Sequence, residues 1–221
     1  MDRKEFCDTY WNYYLVLEKD FLKIERFITF DLGDNFLYDD NESIENHGNS
    51  LTYSVEFIKQ YQAICSEVDV ILKAICEELG NSNAGNMTAY TSTILNHDIW
   101  MRIVNQKVKM RNIELYPFKD WRDGNKDEYK APHWWPQYND VKHHRAEQYK
   151  EANLKNVLNA LAGLYILENY LVKYIGDMAN DIDVPNDISH LFEMVDWETR
   201  DEVLGHEMYN INEDDVSRLF G

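Results

Sequence analysis

Ala152-Asn153-Leu154-Lys155-Asn156-Val157-Leu158-Asn159-Ala160-Leu161-Ala162-Gly163-Leu164-Tyr165-Ile166-Leu167-Glu168-Asn169-Tyr170-Leu171-Val172-Lys173-Tyr174-Ile175 is the most apolar helical stretch of the chain. Leu154, Val157, Leu161, Leu164, Leu171 and Ile175 recur at helical spacing, with Glu168 in the one missing seam position. That periodicity predicts an α-helix with a continuous apolar seam. Asn156, Asn159, Glu168 and Lys173 make it a core helix and not a membrane span. Ala160, Ala162 and Gly163 are small enough to let another backbone come close. A seam glutamate is either a buried acid with a partner or an edge residue whose carboxylate reaches water; the second is expected of Glu168. Gly176 is expected to cap the helix.

Two further helices supply partners. Ile58, Tyr61, Cys65, Val68, Leu72, Ile75 and Leu79 alternate helical spacings from about Ser50 to Leu79, with Gly80 as the stop. Such a repeat is the pattern of nearly antiparallel bundle packing. Upstream, Tyr10, Tyr14, Leu17, Phe21, Ile24 and Ile28 mark one face of an amphipathic helix over about Lys4 to Asp31, ended by Gly33 and the acidic Asp39-Asp40-Asn41-Glu42. A short helix is expected from about Thr88 to His97. Val108 and Met110 alternate with Lys109 and Arg111, which predicts a short strand or β-hairpin near 104–116. Pro185 ends any helix before it, and a last helical piece is expected near Asp214 to Phe220.

Length and composition fit one domain with elaborations, 221 residues with 44% hydrophobic. The expected organisation is a helical domain over 1–176 and an acidic extension over 177–221 packed on it through Leu191, Phe192, Met194 and Trp197. Cys7, Cys65 and Cys76 are an odd set with no disulfide framework, and they are expected as buried small hydrophobes. No charged-then-apolar leader follows Met1-Asp2-Arg3-Lys4-Glu5, so a cytoplasmic protein is expected.

The net charge of −18 disfavours a general nucleic-acid binder. Its distribution is uneven. Residues 100–155 carry 12 Lys and Arg against 8 Asp and Glu, while residues 176–221 carry 2 against 13. The basic excess coincides with Pro132-His133-Trp134-Trp135-Pro136-Gln137-Tyr138-Asn139-Asp140-Val141-Lys142-His143-His144-Arg145, the stretch richest in groups able to do chemistry.

A phosphate loop, a nucleophile elbow, a Cys-x-x-Cys pair and a His-Glu-x-x-His motif are all lacking. A metal reading would draw on His133, His143 and His144 with Asp140. Adjacent histidines on a helix point about 100° apart, so His143 and His144 make poor co-ligands, and neither metal nor cofactor is expected. The other reading is acid/base chemistry on a phosphodiester. His143 titrates near neutrality. Asn139, one helical turn earlier, can fix a hydroxyl or phosphate oxygen, and Lys142 and Arg145 can balance developing negative charge. Trp134, Trp135 and Tyr138, with His144 beside them, could hold an unpaired base of single-stranded RNA or a nucleotide. Against this stands a structural reading, in which Trp134 and Trp135 plug the end of the bundle.

The order of parts resembles the HEPN superfamily. Its signature, an arginine, a polar residue and then a histidine after four to six intervening residues near the start of a late helix, aligns with Gln137-Tyr138-Asn139-Asp140-Val141-Lys142-His143. The histidine corresponds to His143. Gln137 stands in the arginine's place and Tyr138 in that of the polar residue. A literal match, Arg200-Asp201-Glu202-Val203-Leu204-Gly205-His206, lies in the acidic tail, where the local charge opposes RNA, and is read as coincidence. The resemblance spans about residues 4 to 175. It implies a mainly α, up-and-down bundle of four or five helices. It also implies a metal-independent ribonuclease, or a degenerate relative, in bacterial defence, acting as a homodimer with a cognate partner. The competing expectation is a non-catalytic helical interaction module.

Overall fold

The computed structural model describes residues 1–33 and 48–199. These form α1 (Arg3–Phe6), α2 (Asn12–Ile24), α3 (Val55–Glu78), α4 (Met87–Leu95), α5 (Trp134–Gln148) and α6 (Leu154–Ala179), with strands β1 (Val108–Met110), β2 (Ile113–Leu115) and β3 (Glu193–Met194). The protein is mainly helical with one small antiparallel sheet. The acidic run 39–42, the Arg200/His206 pair and the helix expected at 214–220 lie outside the described residues.

The longest helices, α3 and α6, form the central contact. Each starts on a side-chain cap: Ser54 accepts from the Phe57 amide at 3.1 Å and Asn153 from the Asn156 amide at 3.0 Å. Their starts are tied together, because the Leu154 and Lys155 amides donate to the Thr52 and Ser50 carbonyls, each at 2.9 Å. Their far ends also meet, around the amino terminus. Met1 bonds Glu78 at 2.9 Å in a cleft that Tyr174, Ile175 and Gly176 also line. The two helices therefore run side by side in the same direction, which departs from the expected up-and-down order. A 3–4 repeat marks a stripe but carries no direction. Here the long connection 79–153 returns the chain to the starting end.

Between Leu154 and Val172 only Lys155 is not buried. α6 is thus enclosed on all sides rather than along one seam, as befits a helix with little polar surface. Gly163 makes room for a side chain, not a backbone: a Cβ there would lie 2.9 Å from Trp134 Cζ2 and 3.3 Å from Phe118 Cζ. Gly176 is not the cap. The helix passes it and ends on Asn180 in the left-handed region (φ 55°). Gly176 instead admits the returning chain, since its Cβ would meet the Ile182 carbonyl oxygen at 2.6 Å.

Glu168 also departs from expectation. It is fully buried, and among the described residues neither carboxyl oxygen has a hydrogen-bond partner. Burial first, and Glu67 second, push its pKa well above the usual carboxylate range. The acid is therefore held protonated rather than ionised at the face edge.

The amino-terminal segment is one rod with a π turn at Cys7–Trp11 between α1 and α2. It ends at Ile24, short of the expected Asp31, and Phe30 folds back to lie 4.8 Å from the Phe21 ring. Cys7, Cys65 and Cys76 are buried free thiols. The hairpin predicted near 104–116 is β1–β2, paired Val108↔Leu115 and Met110↔Ile113, with Arg111 at φ 57° in its turn. β3 joins the other edge of β1, giving the order β2-β1-β3.

α6 itself runs on to Ala179; residues 180–199 then return along the helices, and Glu18 of α2 is their anchor. Its buried carboxylate accepts from Tyr14 Oη at 2.8 Å, from Ser189 Oγ, and from the His190 and Leu191 amides at 2.9 and 3.1 Å. Two turns earlier, Trp11 Nε1 donates to the Asp187 carbonyl at 2.9 Å.

Two stability measurements follow. Gly163→Ala forces Trp134 or Phe118 to shift in a close-packed core and is expected to cost about 1–3 kcal/mol in denaturant titration. Glu168→Leu removes a buried carboxyl without partners and is expected to add about 1–3 kcal/mol at pH 7. Because the folded pKa of Glu168 is raised, its contribution is full below the unfolded value and is lost as pH rises. The advantage of Glu168→Leu in thermal unfolding should therefore be small near pH 4 and grow toward pH 8.

Candidate functional site

The stretch 132–145 is mostly the beginning of α5. Its apolar positions Trp134, Trp135, Tyr138 and Val141 are all buried. The Trp134 indole, fully buried, donates to the Pro117 carbonyl at 3.0 Å, and the Trp134 carbonyl accepts from Tyr61 Oη. Base stacking on Trp134 is thereby excluded, since its ring faces Gly163 and Phe118. Trp135 and Tyr138 are 9% and 5% exposed and pack on each other at 5.2 Å, so neither offers a face to an unpaired base, contrary to the expectation for them. Burial, with Cys65 and then Asp69 adding to it, pushes the Tyr138 phenol up to about 12, so it stays a neutral donor.

The polar positions of α5 point outward and divide into two groups. Asn139 and Lys142 line a cleft of about 660 Å³ together with the edges of Trp135 and Tyr138, closed on the other side by Ser66 and Asp69 of α3 and by Asn86. The Lys142 ammonium lies 5.6 Å from the Tyr138 ring centre. His143, His144 and Arg145 are exposed and do not line this cleft. A break in the helix at His144 (φ −128°, ψ 36°) takes Arg145 off the line of the preceding turns. The structure thus brings together Trp135, Tyr138, Asn139 and Lys142, and leaves His143, His144 and Arg145 on open surface.

Within the cleft the Asn139 amide and the Lys142 ammonium can bind an anionic or hydroxyl-bearing group. The titratable group opposite them is Asp69, which the helical pattern of α3 alone did not single out. The other side of the Pro132–Gln137 turn is different. His133 and Gln137 face a second cleft of about 680 Å³, whose lining includes Tyr129, Lys130, Glu151 and Lys155. Tyr129, Ala131 and Pro136 border both clefts, so this turn is the ridge between them.

Among the described residues no three His, Cys, Asp or Glu side chains converge as metal ligands. No helix among them is long and apolar enough to cross a membrane. Comparison of the chain with protein-family models, with curated proteins and with solved structures finds no match.

Proposed function

We infer that the chain is a non-catalytic helical interaction protein that meets an anionic partner through the outer face of α5. The observation that carries this reading is the two-sidedness of α5. Trp134, Trp135 and Tyr138 are spent on the core, while Lys142, His143, His144 and Arg145 stand exposed and do not converge on one point. Catalysis of phosphodiester cleavage needs an acid/base and a charge stabiliser held on the same phosphate. Recognition of a charged partner needs only an accessible charged face; on α5 Lys142 and Arg145 share that face with exposed Asp140 and Glu147, so an anion is drawn by the basic excess of residues 100–155 as a whole, 12 Lys and Arg against 8 Asp and Glu.

A second reading rests on one geometric fact. Asn139 and Lys142 share a cleft and His143 lies one turn beyond Asn139. It makes the chain a HEPN-like metal-independent ribonuclease, or a degenerate relative, in a bacterial defence system. In it His143 is the acid/base, Asn139 and Lys142 position the phosphate and Arg145 stabilises the transition state. The bundle of four or five helices, the homodimer and the cytoplasmic location belong to this reading too.

The two separate in one experiment on the full chain with single-stranded RNA in EDTA. The interaction reading predicts binding by fluorescence anisotropy without cleavage. It also predicts a loss of about tenfold in affinity for Lys142→Glu/Arg145→Glu, with a marked salt dependence. Cleavage by wild type that is lost in His143→Ala establishes the nuclease instead. Absence of both binding and cleavage removes RNA as the partner.

A further inference from the structure

The cleft between α5 and the start of α4 is lined by polar groups that the fold leaves unused. One helical stripe of α5 forms a wall, Trp135, Tyr138, Asn139 and Lys142. Asp69 of α3 stands opposite, and the start of α4 closes one end. Trp135 and Tyr138 are nine-tenths buried or more. Yet Trp135 Nε1 and Tyr138 Oη have no hydrogen-bond partner among the described residues, and neither belongs to the polar atoms that burial seals off from solvent. We propose that this cleft binds a zwitterionic small molecule of the free amino-acid class, its carboxylate held by Trp135, Tyr138 and Lys142 and its ammonium by Asp69.

Polar groups on buried rings are normally paired. Two donors that meet no acceptor in the protein, on rings the core otherwise holds, suit an acceptor that enters the cleft. Asn139 adds an amide to the same wall, and Lys142 an ammonium 5.6 Å from the Tyr138 ring centre. At the α4 end, the Asn86 side chain takes the Ala89 amide at 3.0 Å, so the Met87 and Thr88 amides are left without acceptors inside the helix. A carboxylate, which only accepts, complements this set of donors.

The charge balance decides against a simple anion. Lys142 and Asp69 are the two charged residues of the lining, and they cancel. Lys142 lies over the Tyr138 ring and Asp69 beside the Tyr90 hydroxyl, and neither forms an ion pair among the described residues. A cation and an anion that face one cleft without pairing match a ligand that carries both charges. A free amino acid does so on neighbouring atoms, and a volume of about 660 Å³ leaves room for its side chain against Ala131 and Pro136. Of these residues only Lys142 also belongs to the exposed face of α5, so substitutions at Tyr138 and Asp69 probe the cleft separately from that face.

The test is an NMR titration of the full chain with each standard L-amino acid in turn, following the assigned indole N–H resonance of Trp135. The expected result is a saturable shift with at least one of them below about 10 mM. The N-acetyl derivative of that amino acid lacks the ammonium and its carboxamide lacks the carboxylate, and each should bind about tenfold more weakly. Tyr138→Phe removes one hydroxyl and keeps the ring. It should weaken binding about tenfold and leave the thermal midpoint within a few degrees of wild type. Asp69→Asn, at an exposed position, should do the same and keeps the test valid should the Tyr138 variant fail to fold. Absence of a saturable shift with every amino acid overturns the proposal. So does a derivative that binds as tightly as the free amino acid, or binding that both variants leave unchanged, because the ligand is then not held by its two charges or sits elsewhere.

Discussion

The parallel contact between α3 and α6 is the constraint from which the rest of the architecture follows. Two neighbouring helices that run the same way cannot be joined by a tight turn. The connection has to travel back the full length of the pair, and residues 79–153 do so through α4, the β1–β2 hairpin and α5. The link between the starts of α3 and α6, where Ser50 and Thr52 take the Leu154 and Lys155 amides, fixes their register. Gly163 in the middle of α6 then sets how closely the returning chain can pack, because it receives the edge of Trp134. The orientation of α5 is therefore a packing consequence. With Trp134 seated on Gly163, Tyr138 and Val141 must also turn inward, and Lys142 and His143 must face out.

The same economy governs the C-terminal extension. An acidic segment docks on an acidic protein, so long-range charge opposes the contact. Local hydrogen bonds overcome it. The Glu18 carboxylate collects Ser189 and two consecutive amides, which is how a buried carboxylate is normally satisfied. Leu191 and Phe192 supply the apolar burial beside it, and β3 closes one edge of the sheet. Glu168 shows the opposite solution. A carboxyl without donors is kept neutral by its surroundings, at a cost the large α3–α6 interface carries.

Much of the fold was legible because helices and hairpins announce themselves by periodicity. The 3–4 spacing from Leu154 to Ile175, the stop at Gly80 and the alternation at Val108–Met110 all correspond to observed elements. Direction was not legible, since an apolar stripe is the same read either way along a helix. β3 was not, because two residues are too few for a pattern. The stacking role expected of Trp134, Trp135 and Tyr138 gives way to the structural reading. Trp134, Tyr138 and Val141 are spaced four and three apart, the same helical stripe that identified the core elsewhere. The two clefts depend on Asp69, Tyr129, Lys130 and Lys155, which come together only in three dimensions.

If the parallel pair is the organising contact, distances between exposed positions on α3 and α6 report it directly. Spin labels at Lys59 or Glu77, near the two ends of α3, can each be paired with one at Met178, near the end of α6, and measured by double electron–electron resonance. The parallel arrangement predicts a short distance for the pair at 77 and 178. The pair at 59 and 178 should then be separated by roughly 25–30 Å along the helix axis, at about 1.5 Å per residue. The reverse order, with the shorter distance between 59 and 178, would mean that the helices are antiparallel and that α5 is not held as described.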